Sequence, residues 1–139
     1  MILVDTNVVS EPLRVRSEPR VVAWLNRQPA ETLFISTISV SEILFGIEAL
    51  VAGKRRSRLA EAFESTVFHL FAGRVLTFDL QAARAYASLM SAARVRGLSI
   101  SILDGQIAAI AKANGFSVAT RDEAPFHAAG LKVVNPWKE

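Results

Sequence analysis

The side chains whose types and spacing could do chemistry are carboxylates. Only four aspartates occur, at positions 5, 79, 104 and 122, and the other nine acids are glutamates. Asp5 closes the apolar run Ile2-Leu3-Val4 and is followed by Thr6-Asn7. Asp122 follows Ser117-Val118-Ala119 and the polar pair Thr120-Arg121. If both runs are buried parallel strands, both carboxylates emerge at the carboxyl edge of one sheet, where open α/β folds bind ligands. The plainer use of Asp5 is to cap the next turn. Asp79 precedes a helical stretch reaching about Arg96 and is assigned to capping, because its carboxylate can accept bonds from the free amides of the first turn.

Glu42 and Asp104 are out of place by composition. Glu42 lies in Ile38-Ser39-Val40-Ser41-Glu42-Ile43-Leu44-Phe45-Gly46-Ile47, and Asp104 in Ile100-Ser101-Ile102-Leu103-Asp104-Gly105-Gln106-Ile107-Ala108. Nothing about helix stability asks for Asp followed by Gly. Burying an isolated carboxylate costs several kcal/mol or forces it to take up a proton, so a retained acid needs a counter-charge. No Lys or Arg stands one turn from either residue. A hard divalent cation such as Mg²⁺ or Mn²⁺ would satisfy several carboxylates together; pairing with a distant Arg is the competing explanation.

The elements that must position these acids are short. Strands are expected at Ile2-Val4, Leu33-Ser36, Val75-Phe78, Ser117-Ala119 and Lys132-Val134. Helices are expected over Pro19 to Gln28, Ser39 to Val51, Ser57 to Leu70, Asp79 to Arg96 and Ile102 to Ala113, with a turn near Pro125-Ala129. Gly53-Lys54-Arg55-Arg56 reads as a basic turn between two of them. This alternation predicts an α/β fold with a mostly parallel sheet covered by helices on both faces.

Composition bounds the rest. The chain has 139 residues, 51% of them hydrophobic, which suits one domain over 1–139. It has no cysteine, which removes thiolate zinc sites and thiol nucleophiles and fits the cytoplasm. No export signal and no membrane helix is expected, since charges break every long apolar run. The charge of +3 mildly favours a polyanion, with Arg14, Arg16, Arg20, Lys54, Arg55, Arg56, Arg58, Arg94 and Arg96 as the pool of contacts. His69 and His127 lack zinc-motif spacing, and no Gly-x-Ser-x-Gly elbow or phosphate-binding P-loop occurs. A phosphoacceptor of receiver type would need a Lys just after a late strand, whereas Lys132 stands at a strand's start.

Four fragments in this order, Ile2-Leu3-Val4-Asp5-Thr6-Asn7-Val8-Val9-Ser10-Glu11, Ser41-Glu42-Ile43-Leu44-Phe45-Gly46, Asp104-Gly105-Gln106-Ile107-Ala108-Ala109 and Ala119-Thr120-Arg121-Asp122, resemble the PIN-domain ribonucleases. Within that family the chain is most similar to the VapC-like toxins of bacterial toxin-antitoxin pairs, in their FitB-like branch. The resemblance implies a three-layer α/β/α fold with a five-stranded sheet. It implies an Mg²⁺- or Mn²⁺-dependent endoribonuclease acting through a cation-activated water. Asp5, Glu42, Asp104 and Asp122 would be its acidic quartet, with Asp5 and Asp104 the first metal ligands and Glu42 and Asp122 further ones. Thr120 would steady the site, and Asn7 would support it. Ala124-Pro125-Phe126 departs from the acid-then-Phe ending common after the last motif. The resemblance also implies a small antitoxin as partner and DNA contact through that antitoxin only. The apolar stretches Ile43-Leu44-Phe45-Ile47-Leu50 and Leu59-Phe63-Val67-Leu70-Phe71 offer more surface than one core needs, so part is expected to serve a partner groove or a homodimer face, the alternative being that all of it is core. The rival reading is a non-catalytic module that receives a partner's Arg in its acidic pocket and regulates transcription with it.

Overall fold

The computed structural model describes residues 1–139. Five strands, β1 (Ile2–Val4), β2 (Leu33–Ser36), β3 (Val75–Leu76), β4 (Ser117–Ala119) and β5 (Val133–Val134), form one sheet in the order β3-β2-β1-β4-β5. Every pairing is parallel, so the sheet is wholly rather than mostly parallel. Seven helices accompany it: α1 (Thr6–Ser10), α2 (Pro19–Arg27), α3 (Thr37–Glu48), α4 (Lys54–His69), α5 (Leu80–Val95), α6 (Ile102–Asn114) and α7 (Glu123–Ala128). No helix is long and apolar enough to cross a membrane.

Side chains of a strand alternate between faces, and the apolar residues of the strands divide accordingly. Val4, Leu33, Ile35 and Ala119 join one core with Val8, Val9, Val21, Trp24, Ile43, Ile47, Phe63 and Phe71 from α1 to α4 and the turn after α4. Leu3 and Val118 join the other, with Ala82, Leu89, Ile107, Ile110 and Phe126 from α5, α6 and α7. Helices thus cover both faces, giving the expected three layers.

The order of strands decides where a ligand can sit. From β1 the chain moves outward through β2 and β3, then returns to place β4 on the other side of β1. Connections leave β1 and β4 toward opposite halves of the sheet, which opens a crevice at their carboxyl ends. Register pairs Val4 with Ala119, so Asp5 and Thr120 leave the sheet side by side.

Several expected boundaries are corrected. α1 follows Asp5 at once, capped by the Asp5 side chain, where no helix was expected. α3 starts at Thr37 rather than Ser39, because Ser36 is the cap and accepts from the Ser39 amide at 3.0 Å. β3 ends at Leu76 rather than Phe78. Lys54, Arg55 and Arg56 are the first turn of α4 and not a loop. Three cations at a helix N-terminus oppose its dipole, which is why the sequence pattern hides this start. Arg56 is offset by Glu48 at 2.5 Å. Asp79 caps α5 as expected, accepting from the Ala82 amide at 2.9 Å.

Gly105 has a steric reason absent from helix propensity. A Cβ there would stand 2.7 Å from Met90 Sδ and 3.0 Å from Tyr86 Cε2 on α5. The missing side chain lets the two helices approach at the turn that carries Asp104. Gly105→Ala is therefore expected to destabilise by about 1 kcal/mol. Overpacking of about 1–3 kcal/mol outweighs a helix-propensity gain of about 1 kcal/mol. Urea denaturation checks this, and the loss should shrink in a Met90→Ala background.

Candidate active site

One cavity of about 310 Å³ is lined by Asp5, Thr6, Asn7, Ser10, Glu42, Asp104 and Asp122, with no hydrophobic side chain among them. The four acids singled out in the sequence thus share one wall-to-wall space, although they lie up to 117 positions apart (122 minus 5). Asp5 comes from the end of β1, Glu42 from the second turn of α3, Asp104 from the first turn of α6, and Asp122 from the segment after β4. A larger cavity of about 570 Å³ lies by the turn between α5 and α6, but Arg94 is its only charged side chain. Chemistry, not size, selects the smaller one.

Asp5 is the buried anchor, 4% exposed. Its Oδ1 accepts from the Thr6 amide at 2.8 Å and its Oδ2 from the Thr120 hydroxyl at 2.7 Å. It therefore caps α1 as well as facing the cavity, so the plain and the chemical uses of Asp5 coincide. Thr120, fully buried, also accepts from the Asp122 amide at 3.1 Å and from Asn7 Nδ2 at 3.4 Å. Asn7 Oδ1 in turn accepts from the Arg121 amide at 3.2 Å. Thr120 and Asn7 thus stitch the ends of β1 and β4 together.

Sequence reasoning passed over a second set of hydroxyls. Thr6 Oγ1 donates to Glu42 Oε1 at 2.8 Å and lies 3.0 Å from Ser39 Oγ. Ser39 is buried, as is Ser36, whose Oγ lies 3.4 Å away. A hydroxyl has one proton to give, so the chain runs in one direction, from Ser36 through Ser39 and Thr6 to Glu42. The cap pattern Ser36-x-x-Ser39 at a strand end was the available signal; nothing local linked it to Glu42.

No cation neutralises this cavity from within. The ion pairs of the chain are Arg14 with Glu11, Arg56 with Glu48, and His127 and Lys138 with Glu123. None involves Asp5, Glu42, Asp104 or Asp122, which removes the distant-Arg explanation. Glu123 is held at about 2 by bonds from Lys138 and Asn135, and it takes no part in lining the cavity. Burial pushes Asp5 up to about 6. The bonds from Thr120 and Thr6 pull the other way, and the negative charges of Asp104 and Glu42 add to the rise.

Such an environment fits a divalent cation, because only a positive charge relieves a buried carboxylate crowded by two others. Asp5, Glu42, Asp104 and Asp122 are the oxygen donors available. No three of them converge at ligand distance about one point.

A family profile for the PIN domain matches residues 2–131. This chain belongs to the PIN-domain family. It is 50% identical over 138 residues to the plasmid stability protein StbB of Pseudomonas syringae pv. tomato, covering 99% of both chains. Identity is also 50%, with the same coverage, to the VapC ribonuclease Y4jK of Sinorhizobium fredii. It is 46% over 139 residues to the toxin FitB of Neisseria gonorrhoeae, covering both chains fully. The crystal structure of FitAcB from Neisseria gonorrhoeae superposes with a TM-score of 0.95 over the whole of both chains, at 46% identity. A structure of FitAB bound to an IR36 DNA fragment gives 0.94 at 47% identity, covering 99% of this chain and 96% of that one.

The raised Asp5 gives this PIN domain a definite pH dependence. The native state binds the Asp5 proton more tightly than the unfolded chain does, so between about pH 4 and 6 folding takes up protons. Its contribution to stability is therefore greatest at low pH and is lost as pH rises through about 6. In EDTA, Asp5→Asn is expected to stabilise the domain at pH 7.5 by up to about 3 kcal/mol and to gain little near pH 4. Thermal melts of the two proteins across that range check the sign.

Proposed function

We propose that residues 1–139 act as one domain that hydrolyses RNA internally with Mg²⁺ or Mn²⁺, as the toxin of a type II toxin-antitoxin pair in the cytoplasm. The observation that carries this reading is the buried Asp5, faced by Asp104 and Glu42 in a cavity that supplies no cation of its own. Identity of about half the residues with a VapC ribonuclease and with the toxin FitB supports the same reading.

Asp5 and Asp104 are the first candidates for holding the ion, because one is fixed by two hydrogen bonds and the other sits on a helix turn locked by Gly105. Glu42, aimed by Thr6, and the more exposed Asp122 line the same cavity and complete the donor set or orient water. Thr120 positions Asp5, and Asn7 holds the wall of the cavity. When bound, a divalent ion supplies positive charge against the scissile phosphate and lowers the pKa of an attacking water. The chain offers carboxylates rather than a covalent nucleophile, so the water's oxygen joins phosphorus and the ribose 3′ oxygen departs. That leaves a 5′-phosphate and a free 3′-hydroxyl.

The inhibitor is a small antitoxin, and DNA is reached through it alone; a solved structure of FitAB bound to an IR36 DNA fragment supports the part of this reading that pairs such a toxin complex with DNA. Exposed Leu44 and Phe45 on α3 and Ile102 and Leu103 on α6 fit a homodimer.

Incubation of the purified chain with total RNA and Mg²⁺ or Mn²⁺ is expected to give cleavage that EDTA stops, with 5′-phosphate ends by end sequencing. Asp5→Asn and Asp104→Asn should reduce cleavage to background while leaving the circular dichroism spectrum intact. Thr120→Val should lower it about 10- to 100-fold, as loss of a bond that orients a ligand does. Cyclic phosphate ends, or cleavage unaffected by EDTA, would refute the mechanism. Absence of cleavage with every ion would favour the non-catalytic module.

A further inference from the structure

The segment after β5 lies beyond the matched part of the family, which ends at residue 131, and it folds back against the segment that follows β4. Pro136 is buried, and Trp137 packs against the core on the α1–α4 face. The Trp137 amide donates to Asn135 Oδ1 at 3.0 Å, and its carbonyl accepts from Arg20 Nη1 at 3.3 Å. Asn135 Nδ2 donates to Glu123 Oε1 at 2.7 Å and to the Arg121 carbonyl at 3.4 Å, and Lys138 donates to Glu123 at 2.6 Å. The tail is thus fastened to the chain that leaves β4.

This arrangement holds one cation on the segment that follows β4, between two residues of the site. Arg121 stands between Thr120, which holds Asp5, and Asp122, which lines the cavity. Its amide is tied to Asn7, another lining residue. Its guanidinium lies 5.4 Å from the centre of the Trp137 ring. The side chain is exposed and forms no ion pair. A guanidinium within cation–π range of an indole is drawn toward the ring and its mobility is reduced, while its N–H groups remain able to meet a bidentate anion. Arg14 and Arg55 line a neighbouring cavity that shares Thr6, Ser10 and Glu42 with the acidic one, so Arg121 is the cation on the β4 side of the site.

We propose that Arg121, held by Trp137, binds a backbone phosphate of the RNA next to the one being cleaved. This rests on the ribonuclease reading above. Arg121 is a substrate-binding residue, and Trp137 positions it. Because the contact is to phosphate, it is independent of base sequence.

The test uses the full chain carrying Asp5→Asn, which blocks cleavage, and a labelled single-stranded RNA of mixed sequence, with affinity read by fluorescence anisotropy across a KCl series. Adding Arg121→Gln is expected to weaken binding about tenfold, as loss of a charge-assisted bond does. The slope of log affinity against log salt should flatten by about 0.7, the value for one phosphate on a single strand. Trp137→Leu should shift both readouts the same way by less, and Trp137→Phe, which keeps an aromatic face, should restore them. A purely structural tail would lower melting temperature in the Trp137 variants and leave the salt slope of Arg121→Gln unchanged. Unchanged affinity and slope in Arg121→Gln overturn the proposal. RNA cleavage by the unsubstituted chain, measured in parallel, separates the two ideas. Cleavage with unchanged binding rejects Arg121 alone, and no cleavage with any divalent ion rejects the reading beneath it.

Discussion

Holding the charge of Asp5 out of water without a positive partner is the constraint on which the site depends. Burial and two neighbouring carboxylates oppose ionisation, and two hydrogen bonds favour it. The balance leaves an acid that titrates near 6, far above its ordinary range. A protein selected only for stability would remove such a group or pair it with Arg, since uncompensated buried charge is among the costlier features a fold can carry. Here the cationic side chains do not line the cavity: Arg121 lies against Trp137, and Arg14 and Arg55 line a neighbouring cavity. The instability is therefore concentrated where an ion can relieve it.

The scaffold absorbs that repulsion through rigidity. Thr120 and Asn7 cross-link the ends of β1 and β4, and the hydroxyls of Ser36, Ser39 and Thr6 aim Glu42. No buried side-chain polar atom in the chain lacks a hydrogen-bond partner, so the strain is electrostatic and not one of missing bonds. Asp104 is brought in by a different device, the close approach of α5 and α6 at Gly105. Polar stitching on one side and steric fit on the other hold the acids together in spite of their charge.

The apolar residues of α3 and α4 divide in the same functional sense. Ile43, Ile47 and Phe63 fill the core, whereas Phe45 and Phe68 remain 77% and 72% exposed. The sequence runs containing them hold more apolar surface than the core uses. Leu44 and Phe45 lie just past Glu42, and Ile102 and Leu103 just before Asp104, so the unpartnered surface flanks the acidic cavity.

The local pattern was enough to find the five strands, the long helices and the four acids, because periodicity and an acid stranded among apolar neighbours are properties of short stretches of chain. Asp79 was separable from the other aspartates for the same reason, since capping is a local interaction. The short helix α1 was hidden because five residues carry no period, and the start of α4 because its cations oppose the helix dipole. Gly105 looked anomalous until its neighbours on α5 were in place. That Asp5, Glu42, Asp104 and Asp122 line one cavity free of Lys and Arg was decided by the strand order and by the register of β1 with β4. Charge neutralisation and cation–π attraction, as between Arg121 and Trp137, act through space between residues apart in the chain, so they exist only once the chain has folded.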